Sequence, residues 1–296
     1  MECEKKYIET ATGQVRVLDH AVISDAVRAL FIEANYRLPS AVCQLISTAK
    51  SRERDAVARG VLDTLEENIA AADEMDVPIC QDTGMAVLFC EIGQGVYIDG
   101  ILEDAVNEGV RRAYVEGSLR KSIVRDPLFD RTNTEDNTPA ALRISFSKDP
   151  ELVGSVRLTA APKGFGSENM SAIKMFTPSA TEADIVQFVL DSVLRAGANP
   201  CPPIVVGVGI GSNFEGVALL AKEALLRDTP AQDVRYRQLE EKILHAVNGT
   251  GIGPQGFGGD TTALAVRVNH APTHIAGLPV AVNINCHVSR HKSVIL

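Results

Sequence analysis

The chain has 296 residues, with 29 Lys and Arg against 38 Asp and Glu, a formal charge of -9 and an isoelectric point near 5.2. Apolar residues make up 45% and charged ones 23%, the proportions of a chain that folds around a core rather than staying disordered or entering lipid. The acidic balance and the lack of any Lys/Arg cluster argue against a nucleic-acid partner. No apolar run reaches the ~18 residues of a membrane span, and the charged start MECEKKYIETATG lacks a secretory signal's apolar stretch, which points to the cytoplasm.

Residues 18–75 carry apolar positions at three- and four-residue spacing, in LDHAVISDAVRALFIEANYRL, PSAVCQLISTAKSRE and RDAVARGVLDTLEENIAAADEMD, which predicts a helical N-terminal layer. From Val77 the pattern changes to short apolar strands, VPIC, MAVLFCEI and VYI. A helix at EDAVNEGVRRAYVEGSLRK precedes the polar stretch RDPLFDRTNTEDNTPA, whose Asp, Asn, Thr and Pro content marks a long loop. Strands at ALRISFS and SVRLTAA and a glycine-containing loop, PKGFGSENMSAIKMF, follow. Residues 181–198 form the clearest helix, opening on a capping box of Thr181 and Asp184 and ending at Gly197. PPIVVGVGIGSNFEGVALLAKEALL reads as strand, glycine loop and helix; RYRQLEEKILHAVN is a further helix, and strands at ALAVRV and LPVAVNI close the pattern. Helices and strands mix without strict alternation, so the expected class is α+β, or irregular mixed α/β, in one domain spanning residues 1–296.

Gly251, Gly253 and Gly256 satisfy G-x-G-x-x-G, but between a helix and a strand, which is the wrong context for a dinucleotide fingerprint. The Gly207–Gly216 segment has strand-to-helix context without the Lys and Ser/Thr of a nucleotide loop. Its amides would hold an anion at a helix start, or its glycines simply permit close backbone approach. Six cysteines are scattered without a secretory signal, which makes a disulfide framework improbable. Cys3, Cys43 and Cys90 read as structural or inert. Cys80 in VPICQDTG, Cys201 in NPCPP and Cys286 in NINCHVSR each stand at an element edge, and the prolines around Cys201 restrict its backbone in a way that suits a metal ligand. Spacing alone leaves packed thiols and a shared metal site both open, because no C-x-x-C pair is present.

PICQDTG, AYVEGSLRKS, KGFGSENMS, NPCPPIVVGVGIG, GIGPQGFGGDTTALAV and HIAGLPVAVNINCHVSRH resemble, in order, the alpha subunit of the iron-sulfur class I fumarate hydratases. The L-tartrate dehydratase alpha subunit shares the plan, although KGFGSENMS, GGDTT and the NINCHVSRHK ending lean toward fumarase. The resemblance implies a 4Fe-4S cluster on Cys80, Cys201 and Cys286 with one open iron, a hydro-lyase acting on fumarate and malate, and a separate beta subunit completing the site, as in a two-alpha, two-beta assembly. It further implies that Gln81 and Asp82 border the substrate, that Arg120 clamps a carboxylate, that the Gly164–Gly166 backbone contacts it and that His274 lies in the site. Asp82 and His274 would be the catalytic proton carriers. Read without the resemblance, Asp82 is a turn-maker, Arg120 a solvated charge and His274 a buried imidazole. The alternative functions are dehydration of tartrate or another hydroxy-dicarboxylate and, in a different class, a non-catalytic iron-sulfur scaffold or redox sensor.

Overall fold

The computed structural model describes residues 6–10 and 13–296; Cys3 lies outside them. In chain order the elements are β1 (Lys6–Thr10), β2 (Gly13–Asp19), α1 (His20–Tyr36), α2 (Ser40–Arg52), α3 (Ala56–Met75), β3 (Val87–Ile92), β4 (Val96–Asp99), α4 (Leu102–Glu116), β5 (Ala141–Phe146) and β6 (Val156–Ala160). The second half adds α5 (Phe165–Glu168), β7 (Ala172–Phe176), α6 (Glu182–Ala196), β8 (Ile204–Ser212), α7 (Phe214–Ala224), α8 (Val234–Asn248), β9 (Ala263–Thr273), β10 (Leu278–Asn285) and β11 (Lys292–Ile295). Helices and mixed sheets coexist without regular alternation, an α+β fold. By contacts the chain divides into two compact units.

The first unit holds the chain up to Arg37, Asp76–Lys163 and Arg290–Leu296. It contains a three-stranded sheet, β1-β2-β4, and a four-stranded sheet, β11-β6-β3-β5. Helices α1 and α4 bury Ile23, Val27, Phe31, Val106, Val110 and Tyr114 in one core with Leu88 of β3 and Leu158 of β6. The VPIC segment expected as a strand is instead an irregular approach to a turn. Pro78 has no amide to give a ladder, and the Ile79 N–H donates to the Asn35 carbonyl at 3.0 Å instead.

The second unit holds Leu38–Met75 and Gly164–Ser289, built on a sheet ordered β7-β10-β8-β9. β8 and β9 run parallel and β10 pairs antiparallel with β8, in the register Asn285↔Val205 to Val280↔Ile210. Both central strands are buried along nearly their whole length because both faces are covered, and their residues are mostly apolar. The capping box of α6 forms in full: Thr181 N–H donates to the Asp184 carboxylate at 2.7 Å, and Asp184 N–H to the Thr181 hydroxyl at 3.3 Å. The Thr181 N–H and the Thr181 hydroxyl, both bonded to the Asp184 carboxylate, hold it below its ordinary range.

The Gly207–Gly216 question resolves as close approach. A Cβ on Gly207 would lie 2.1 Å from the Ala221 carbonyl oxygen and one on Gly209 2.2 Å from that of Val217, so α7 packs directly on the β8 backbone. At the helix start the Gly216 N–H is taken by the Asn213 side chain at 2.9 Å. Gly209→Ala is therefore expected to cost about 3 kcal/mol, at the upper end of overpacking effects, read as a lower denaturation midpoint with unchanged slope.

Candidate functional site

In the first unit, Cys80, Gln81 and Asp82 sit on a turn leading into β3. Asp82 N–H donates to Cys80 Sγ at 3.4 Å, and Gly84 N–H donates to Asp82 Oδ1 at 3.1 Å, so the side chain of Asp82 folds its own turn. Gly84 is required here: its φ is +76°, and a Cβ would stand 2.7 Å from the Lys163 backbone. That close approach lets Met85 and Lys163 exchange both backbone hydrogen bonds, each 2.9 Å.

Buried side chains grip the successive carbonyls of this turn. The hydroxyl Oη of Tyr114, a fully buried residue of α4, lies 2.9 Å from the Gly84 carbonyl oxygen and 3.2 Å from that of Thr83. Burial pushes its hydroxyl pKa up, with the nearby Arg290 charge opposing, so Tyr114 stays a neutral donor. Asn137, also fully buried, donates to the Gly84 carbonyl at 3.2 Å and accepts the Ser122 N–H at 2.7 Å. Arg290 donates to the Asp82 carbonyl. The Thr83 hydroxyl accepts the Arg120 N–H at 2.8 Å, so one residue ties Arg120 to the turn of Gln81 and Asp82. Arg120 and Gln81 are exposed.

In the second unit, Cys201 lies between α6 and β8 with a φ of +54°, a left-handed conformation costly for a non-glycine residue. Cys286 follows β10. The pairing Asn285↔Val205 sets both cysteines at the same end of the sheet. His287 joins their segments, its Nδ1 lying 3.0 Å from the Cys201 carbonyl oxygen, an arrangement satisfied by the tautomer that carries hydrogen there. Gln255 donates through its side chain to the Pro202 carbonyl at 2.7 Å. The second glycine loop is thus the backing of the Cys201 turn, and Gly256 lets it approach, since a Cβ there would meet that of Ala198 at 2.5 Å. Glu53 braces this loop from behind, its buried carboxylate accepting the N–H of Asp260 at 2.9 Å.

Gly164 is the N-cap of α5, and Gly166 belongs to the same end of the sheet, where a Cβ would lie 3.6 Å from the Asn199 carbonyl oxygen. His274 does not join this group. It stands in the β9–β10 turn, and the eight residues of β10 separate it from Cys286 by roughly 24 Å of strand. The imidazole is exposed, not buried, with Nδ1 accepting the Ala276 N–H at 3.1 Å.

The cysteines divide by setting. Cys90 is buried in β3 and its thiol is pushed up to about 11 by desolvation; Cys43 is half-buried and shifted the same way. Such thiols are poor ligands. Cys80 and Cys286 are half-buried and Cys201 exposed, all outside helices and strands. Among the described residues no three His, Cys, Asp or Glu side chains form a group that would hold a metal ion. A cluster asks for a different donor set, in which each thiolate takes its own iron. Accessible sulfurs on braced turns, one receiving an N–H···S bond, fit that requirement.

Sequence reading left Tyr114, Asn137 and Thr83 without a role. Their common signal is a polar side chain wholly or almost wholly buried at 0%, 0% and 2% exposure, which appears only once the fold is known.

Residues 24–295 match the family model described as fumarate hydratase (Fumerase). A putative L(+)-tartrate dehydratase subunit alpha from Methanocaldococcus jannaschii is 39% identical over 274 residues, covering 90% of this chain and 95% of that relative. The L(+)-tartrate dehydratase subunit alpha of Escherichia coli strain K12 is 27% identical over 263 residues, covering 88% and 86%.

Proposed function

The chain belongs to the fumarate hydratase family, and on that premise we propose that it is the alpha subunit of a hydro-lyase that reversibly hydrates fumarate to L-malate. In this reading Cys80, Cys201 and Cys286 hold a 4Fe-4S cluster. When bound, such a cluster supplies an open iron that acts as a Lewis acid toward a hydroxyl leaving group.

The chain's own residues have separate tasks. Arg120 binds a substrate carboxylate through its guanidinium fork, and the Gln81 amide donates to the same dicarboxylate. Asp82 moves the C3 proton. Its Oδ1 is engaged by the Gly84 N–H, which leaves Oδ2 as the atom that carries it. The Gly164–Gly166 backbone contributes N–H donors. His274 is far from Cys286 along β10, so a part for it in catalysis requires approach from another chain. The observation that supports the reading is the Thr83 link, which ties the backbone of Arg120, the residue suited to gripping a carboxylate, to the turn that carries Cys80 and Asp82.

A beta subunit supplies the remaining groups, in a cytoplasmic assembly of two alpha and two beta chains. Dehydration of L-tartrate is the second reading, favoured by the names of the two relatives. The test is anaerobic reconstitution with iron and sulfide, with and without the beta subunit, comparing fumarate hydration with oxaloacetate formation from L-tartrate. Fumarate turnover only with the partner supports the first reading. Faster tartrate turnover selects the second. A cluster that forms while neither substrate turns over leaves the scaffold or sensor function.

A further inference from the structure

Arg290 is 4% exposed and lies just before β11, in the first unit. One nitrogen, Nη2, donates to the Asp82 carbonyl. The other two, Nε and Nη1, are buried with no hydrogen-bond partner among the described residues. A guanidinium does not shed its proton in a protein, and burying two of its nitrogens without partners is costly. Packing alone does not account for it, because an apolar side chain of similar length would fill the space without that cost.

What Arg290 does hold is the first of three consecutive carbonyls. Tyr114 and Asn137 secure those of Thr83 and Gly84; Arg290 secures that of Asp82. The Asp82 carbonyl belongs to the Asp82–Thr83 peptide, and the orientation of that peptide sets the direction of both neighbours. On one side are the Asp82 N–H, bonded to Cys80 Sγ, and the Asp82 carboxylate, bonded to Gly84 N–H. On the other is Thr83, bonded to Arg120.

We propose that Arg290 is a positioning residue of this site, which through the Asp82 carbonyl fixes the turn presenting Cys80, Asp82 and, by way of Thr83, Arg120. The significance of that turn rests on the hydratase reading; the tether itself does not.

The experiment compares wild type with Arg290→Met, which keeps length and loses every donor, and Arg290→Lys, which keeps a charged donor. Amide hydrogen exchange of the apo chain reads the turn without any cluster. Arg290→Met is expected to speed exchange across residues 80–85 about tenfold, with α1 and β6 unchanged, while Arg290→Lys stays within about threefold of wild type. In the reconstituted enzyme with its beta subunit, Arg290→Met should lower kcat about tenfold with little change in KM, and alter the electron paramagnetic resonance signal of the reduced cluster; Arg290→Lys should restore both. Unchanged exchange at 80–85 in Arg290→Met overturns the proposal. So does loss of protection spread through α1 and β6, or a Lys variant no better than Met. A wild-type chain that takes up no iron, with local exchange still raised in Arg290→Met, removes the hydratase reading and leaves the positioning role standing.

Discussion

Serine in place of Cys80, Cys201 or Cys286 is expected to lower fumarate hydration by about a thousandfold or more, because a metal-assisted leaving group is worth several kcal/mol and each 1.36 kcal/mol is a factor of ten. The three variants should also lose iron and sulfide after anaerobic reconstitution with the beta subunit. The controls come from the same chain. Cys43→Ser and Cys90→Ala alter thiols whose burial keeps them protonated; the Cys90 change is expected to cost about 1 kcal/mol of stability through lost packing in β3, and neither should change iron content. Cys201 carries a second consequence. Its positive φ is held by the His287 contact to its own carbonyl and the Gln255 bond to that of Pro202, so Cys201→Gly should relieve backbone strain while abolishing activity, separating stability from ligation in one substitution. Full iron content in any of the serine variants would remove that residue from the ligand set.

The elements that could be read from sequence are those whose determinants are local. Helix α6 announces itself through Thr181, Asp184 and Gly197, all within its own span. The elements that escaped are defined by distant partners. β11 is four residues, KSVI, with meaning only beside β6, where Lys292 pairs Ala160. The β1–β2 hairpin preceding α1 was passed over because the helical periodicity begins at Leu18, the residue where β2 is about to end. The site divides in the same way. Cys80, Cys201 and Cys286 stand out in sequence as a motif set, and Gln81, Asp82 and Arg120 lie in one unit, the first two on the Cys80 turn and Arg120 joined to it through Thr83. The residues that hold the turn were not visible, since Tyr114, Asn137 and Arg290 act by bonding backbone carbonyls, and a carbonyl gives no hint in sequence of which side chain will reach it. His274 shows the converse. Its motif is plain, but antiparallel pairing of β10 with β8 puts it at the opposite end of the sheet from Cys286.

Arg120→Met is expected to reduce kcat/KM for fumarate by about a hundredfold to a thousandfold, the worth of a bidentate charge-assisted pair at roughly 3–4 kcal/mol. The effect should fall mostly on KM, since a carboxylate remote from the bond being broken is gripped equally in ground and transition states. Arg120→Lys should recover part of the loss, limited by the missing fork geometry. Stability should move by no more than about 0.5 kcal/mol, because the side chain is exposed and, among the described residues, no carboxylate pairs with it. Thr83→Val supplies the contrast. It keeps the guanidinium in the chain but removes the hydroxyl that accepts the Arg120 backbone N–H in a setting 2% exposed, so it should destabilise the chain by about 1–3 kcal/mol and lower kcat as well as raise KM, through simultaneous displacement of Arg120 and Asp82. Steady-state kinetics and denaturant unfolding therefore separate the two variants, since only Thr83→Val lowers stability and kcat together with its effect on KM. A charge that merely solvates the end of α4 would show neither, and an Arg120→Met enzyme with wild-type KM would take the carboxylate clamp away from this residue.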